Sequence, residues 1–70
     1  MFTVNEDKKY AYEYYLKEKS GEEVRITKEN YEAAYNAMAS GGNALIAIGD
    51  NLYRTEYIVK LFIVKTRRYN

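Results

Sequence analysis

The sequence contains no histidine, no cysteine, no tryptophan and no proline. Without cysteine there is no disulfide framework and no thiol nucleophile. Without histidine or cysteine there is no ordinary zinc or copper site, and the commonest general base is missing. No apolar run approaches the roughly 18 residues of a membrane helix. The opening stretch Met1-Phe2-Thr3-Val4-Asn5-Glu6-Asp7 lacks the charged-then-apolar order of a secretory signal. These absences point away from an enzyme, from a metal site and from any cofactor. They lead to the expectation of a small cytoplasmic domain that acts by contact, with no membrane partner.

What the chain does have is tyrosine, nine in 70 residues. That length makes one domain, residues 1–70, and a domain this small buries only about 60% of the surface its unfolded chain exposes. It has no room for a deep private pocket. The polar residues 1–8 are expected to be flexible. The net charge of +1 hides an uneven distribution. All ten acids precede residue 60, whereas residues 60–70 carry Lys60, Lys65, Arg67 and Arg68 and no acid. Residues 66–70 thus read as a basic tail.

From Lys9 to Lys19 the pattern has period two. Tyr10, Tyr12, Tyr14 and Leu16 share one face, and Tyr15 lies on the other. Alternating aromatics of this kind read as a half-buried strand. Ser20-Gly21 marks a turn, and Glu23 to Thr27 a second strand. A three-residue loop, Ser20 to Glu22, sets Ile26 opposite Leu16 and Lys19 opposite Glu23, keeping the apolar faces together. Thr27 is a good N-cap, Ile26 and Tyr31 occupy the positions of a hydrophobic staple, and Glu29 and Glu32 suit the positive end of a helix. Tyr31, Ala34, Tyr35 and Met38 make a helical stripe, with Gly41-Gly42 as the stop. The helix is placed at Lys28 to Ser40. Ala44 to Ile48 reads as a buried strand and Leu52 to Glu56 as its return, joined by a two-residue Asp50-Asn51 turn that sets Tyr53 opposite Ile48.

The segment Tyr57 to Lys65 is long, β-branched and apolar on both faces: Tyr57, Val59, Leu61 and Ile63 on one, Ile58, Phe62 and Val64 on the other with Lys60. One helix cannot cover both. The second face is therefore left to the N-terminal segment or to another chain, and Ile58, Phe62 and Val64 become candidates for self-association. The window Leu61 to Val64, bracketed by Lys60 and Lys65, reads either as a central core strand or as an edge that pairs with a second copy or a partner.

Tyrosine combines a large ring, a polar tip and little conformational freedom to lose, which suits interfaces. Tyr10, Tyr12, Tyr14, Tyr15 and Tyr53 are the candidates for a partner-binding surface. An alternative uses strand tyrosines with Lys65, Arg67 and Arg68 to stack and hold single-stranded nucleic acid. Glu22-Glu23 and Glu29 with Glu32 read as solvated charge, since nothing splits their protonation. The glycines match no phosphate-binding spacing.

Three stretches carry a resemblance: Ile26-Thr27-Lys28-Glu29-Asn30-Tyr31-Glu32-Ala33-Ala34, then Ser40-Gly41-Gly42, then Ala44-Leu45-Ile46-Ala47-Ile48-Gly49-Asp50-Asn51-Leu52. Over roughly residues 24–64 the order of capped helix, glycine stop and hairpin resembles small uncharacterised bacteriophage accessory proteins, anti-CRISPR proteins among them. The resemblance implies a compact inhibitor that occludes the surface of a host or defence protein, often as a dimer. It transfers no functional residue. The basic tail departs from the strongly acidic kind that mimics DNA.

The expectation is therefore an α+β fold, a small antiparallel sheet with one helix on one face in the order β-β-α-β-β, its last strand long or broken near Glu56. The expected function is non-enzymatic protein binding, as a homodimer or with an obligate partner, with nucleic-acid binding as the alternative.

Overall fold

A computed structural model describes residues 1–41 and 43–69. The alternating tyrosines form strand β1 (Tyr10–Glu18), and the elements that follow are β2 (Glu23–Ile26), helix α1 (Lys28–Ala39), β3 (Leu45–Ile48), β4 (Asn51–Arg54) and β5 (Ile58–Arg67). A single 3-10 turn, Thr55–Tyr57, separates β4 from β5. The α+β class is as expected. The sheet layout is not: the strands form a three-stranded antiparallel sheet in the order β2-β1-β5 and a separate β3-β4 hairpin. The chain bends at Glu56, so the return strand and the long last strand belong to different sheets.

Strand β1 is central, and β5 lies at an edge. The inward side of β1 carries Tyr14 and Leu16, both buried, and Leu16 has no exposed surface at all. Val24, Ile26, Leu61 and Ile63 flank them from the neighbouring strands, and α1 covers them with Tyr31 and Ala34. The helix begins as expected. The Thr27 side chain accepts a hydrogen bond from the Asn30 amide at 3.1 Å, and the staple residues Ile26 and Tyr31 are both buried in the core. The helix stops one residue earlier than expected, with Ser40 as its C-cap and Gly41 in the left-handed region at φ +80°. Gly42, the other half of the expected stop, lies outside the described residues.

Both turns are shifted by one residue from the expected positions. The first loop has three residues, Lys19 to Gly21: the Glu18 amide reaches the Glu22 carbonyl at 2.9 Å, and Leu16 pairs with Val24 rather than Ile26. Gly21 has φ +94°, where a side chain is strained, so the glycine selects the loop and the register follows. In the β3-β4 hairpin the two-residue loop is Gly49-Asp50. Ile46 pairs with Tyr53 and Ile48 with Asn51. Gly49 has φ +63° and no non-glycine among the described residues has a positive φ, so the turn places its glycine first. The parity survives in both cases because a two-residue shift keeps the apolar faces inward.

The strand β3, expected to be buried, alternates instead. Ile48 is buried, whereas Leu45 is 64% exposed. A two-stranded hairpin packed on one side has an outer face in water. Its base is clamped by Ala44 and Thr55, whose backbones bond at 2.9 Å while the Thr55 hydroxyl accepts from the Ala44 amide at 3.1 Å.

A β-bulge sets the faces of β5. Lys17 pairs with Lys60 but Glu18 with Ile58, so Val59 is an extra residue. Across it the side-chain alternation changes phase. Ile58 turns into the core at 6% exposure, whereas Val59 and Tyr57, expected inside, are exposed. Ile58 is thereby removed from the candidate self-association surface.

The first residues, expected to be loose, run along the helix. Asn36 accepts from the Phe2 amide at 2.7 Å and donates to the Phe2 carbonyl at 3.1 Å; Glu32 accepts from the Val4 amide at 2.7 Å. Phe2 stacks on Tyr35 with ring centroids 3.9 Å apart, and Val4 is buried. This segment covers the helix side of the sheet. The opposite face, with Tyr15, Phe62 and Val64, has no cover among the described residues.

Leu16→Ala is expected to cost about 3 kcal/mol, as truncation of a fully buried leucine does. The drop in the urea midpoint checks it. A loss below about 1 kcal/mol is what a rim position gives, and it would contradict the central placement of β1.

Candidate interaction surface

Strand pairing divides the five tyrosines expected to act together. Tyr14 is a core residue, its ring 5.2 Å from that of Tyr31 and its hydroxyl donating to the Glu6 carboxylate. Tyr53 packs against the core from the β3-β4 hairpin. Tyr15 lies on the open face of the sheet, stacked on Phe62 with centroids 5.1 Å apart and planes 11° from parallel. Its hydroxyl donates to Glu13, which also meets Arg25 at 3.6 Å. Tyr10 and Tyr12 are half-buried on the helix side of β1, at its first end. No single surface holds all five.

Pairing also assembles groups that are far apart in sequence. Tyr10 pairs with Arg67 and Tyr12 with Lys65, and the Arg68 amide bonds to the Lys9 carbonyl at 2.9 Å. The Lys65 ammonium sits 4.5 Å from the Tyr10 ring centroid. Lys9 thus joins Lys65, Arg67 and Arg68 at one end of the β1-β5 ribbon. The expected basic tail begins inside β5 rather than after it. The single-chain charge count missed Lys9, because only antiparallel pairing brings residues 9 and 68 together.

The edge of β5 is the most open part of the backbone. In an antiparallel ladder alternate residues turn their amide and carbonyl to the same neighbour. The Arg68–Lys9 bond fixes the phase beyond the bulge: Lys60, Phe62, Val64 and Thr66 face β1, and Leu61, Ile63, Lys65 and Arg67 face outward. No strand pairs with that side among the described residues. Beside it, between β5 and the second half of α1, runs a groove of about 380 Å³ lined by Tyr31, Tyr35 and Met38 from the helix and by Val59 and Leu61 from the strand. On the open face Val64 is exposed, Phe62 is half-buried, and the Lys60 ammonium lies 5.2 Å from the Phe62 ring. A second apolar patch, unnoticed in the sequence, sits on the outer face of the hairpin, where Leu45 and Leu52 are both exposed.

Among the described residues no three histidine, cysteine, aspartate or glutamate side chains are grouped to hold a metal ion. No helix there is long and apolar enough to cross a membrane. No protein-family model matches the chain, and neither a curated protein nor a solved structure does.

Burial raises the pKa of Tyr14, the Glu6 carboxylate raises it further, and burial likewise raises that of Tyr31. The folded state holds these protons while the unfolded chain releases them near pH 10. Their contribution to stability is complete below that pH and is lost as the pH rises towards the folded values. An absorbance titration of phenolate is expected to show a late group of tyrosines, and Tyr14→Phe removes one of them. A single early wave before unfolding would contradict the burial of Tyr14.

Proposed function

We propose that the chain is a small, non-enzymatic protein-binding module whose contact surface is the exposed strand β5 with its flanking groove. The observation that carries this reading is a long edge strand, Ile58–Arg67, with no second neighbour among the described residues and bearing exposed Val59 and Val64. Long edges with apolar side chains are ready templates for another chain, and proteins ordinarily blunt or cover them. The reading extends to cytoplasmic occlusion of a partner's surface, in line with the resemblance to phage-encoded inhibitors. Self-association, if it forms the functional unit, falls to Phe62 and Val64 on the open face, with Tyr15 beside them.

A second reading is supported by one specific observation, the gathering of Lys9, Lys65, Arg67 and Arg68 beside the rings of Tyr10 and Tyr12. A basic, aromatic ribbon end suits a single nucleic-acid strand. That reading predicts affinity for oligothymidylate that falls steeply with salt and drops when Arg67 and Arg68 are both made alanine. Unchanged affinity in the double variant removes it.

Photocrosslinking distinguishes the two. A photoreactive residue replacing Val64 is expected to yield protein adducts of discrete mass in an extract of the cell in which the protein acts, whereas one replacing Glu29 on the outer helix face yields none. Adducts to nucleic acid alone, or equal yields at the two positions, would overturn the module reading.

A further inference from the structure

We infer that β5 captures an extended acidic segment of its partner by strand addition; this rests on the module reading above and names the ligand chemistry. The first support is the backbone. Leu61, Ile63, Lys65 and Arg67 direct their amides and carbonyls away from β1, a run of donors and acceptors at every second residue. An added strand pairs with such a run through its own main chain, and side-chain pockets supply the selectivity.

The second support is what lies on each side of that edge. The side chains of Leu61, Ile63, Lys65 and Arg67 all point to the helix side of the sheet, because they pair with Leu16, Tyr14, Tyr12 and Tyr10. At the Leu61 end the groove under Tyr35 and Met38 is apolar. At the other end the same face is cationic, with Lys65 and Arg67 exposed. An added strand meets apolar surface first and positive charge next. Its alternate side chains must be apolar over the groove and acidic over Lys65 and Arg67.

The third support is the charge of the edge, which disfavours a second copy there. Strand β5 carries Lys60, Lys65 and Arg67 and no acid. Pairing two copies of β5 edge to edge gathers six cations and no acid along the joined strands, and like charges that meet across a strand pair are destabilising. Edge lysines are a device against self-pairing. The same charges attract an acidic strand.

The test uses the full chain and short synthetic peptides that alternate threonine with leucine at one end and with glutamate at the other, made in both chain orders. One order is expected to bind and to slow hydrogen exchange at the outward amides of Leu61, Ile63, Lys65 and Arg67. Backbone N-methylation of that peptide is expected to abolish the protection. Lysine in place of its glutamates, or the Lys65→Glu, Arg67→Glu double variant, is expected to weaken binding about tenfold, the scale of two exposed charge pairs reversed. Equal binding of the N-methylated peptide overturns strand addition. Protection by oligothymidylate but by neither peptide order overturns the acidic-segment assignment in favour of nucleic acid. Discrete protein adducts at residue 64 together with no peptide-induced protection overturn this inference while leaving the module reading in place.

Discussion

The structure depends on strand β1, the only strand of the larger sheet with hydrogen-bonded neighbours on both sides. Its inward residues Tyr14 and Leu16 are the floor of the core, and each other element is placed by what it lays over them. β2 and β5 extend the floor, α1 covers it, and the hairpin closes one end with Ile48 and Tyr53. Burying a leucine or a tyrosine ring is worth roughly 2–3 kcal/mol, a large share of the marginal stability of a small domain.

A three-stranded sheet with one helix has two edges and one bare face. The chain deals with these unevenly. The β2 edge is short, four residues, and lies beside the hairpin. The N-terminal segment reinforces the helix side, with Asn36 and Glu32 taking the place of a strand partner for Phe2 and Val4. That leaves β5 with a hydrogen-bonded neighbour on one side only among the described residues, and the Tyr15-Phe62 stack open below. The molecule is elongated as a result, 42 Å by 27 Å by 20 Å. The ribbon of β1 and β5 carries its charge at one end. Core requirements and surface chemistry are thus separated along one pair of strands, buried and apolar near Leu16 and Leu61, exposed and basic near Tyr10 and Arg67.

Local features were legible in the sequence because each rests on a few adjacent residues. The alternation from Tyr10 to Leu16, the Thr27 cap with its Ile26–Tyr31 staple, and the bend near Glu56 all appear where their residues place them. The parity of both hairpins was also legible, since only an even shift keeps the apolar faces together. Their exact registers were not, because the glycine with positive φ, Gly21 or Gly49, decides which residues form the turn. The bulge at Val59 left no sequence signal: Ile58 and Val59 are both apolar and β-branched, and the choice between them is made by packing against β1. Separation of the hairpin from the sheet was hidden for a similar reason, as Leu45 to Ile48 is apolar throughout yet only alternate residues are covered. The candidate surface was legible in composition but not in arrangement. Tyr14 and Ile58 are core, and Lys9 joins the basic end only through its pairing with Arg68.

The most direct measurement is amide hydrogen exchange on the free protein, resolved residue by residue along β5. A true edge exchanges in alternation: Phe62, Val64 and Thr66, which bond to Tyr15, Glu13 and Ala11, are slow, and Ile63 and Lys65 between them are fast. That alternation is the expected result. Uniform protection from Leu61 to Lys65 would mean that another strand, from this chain or a second copy, already occupies the edge, and it would contradict the account of β5 as the free binding surface.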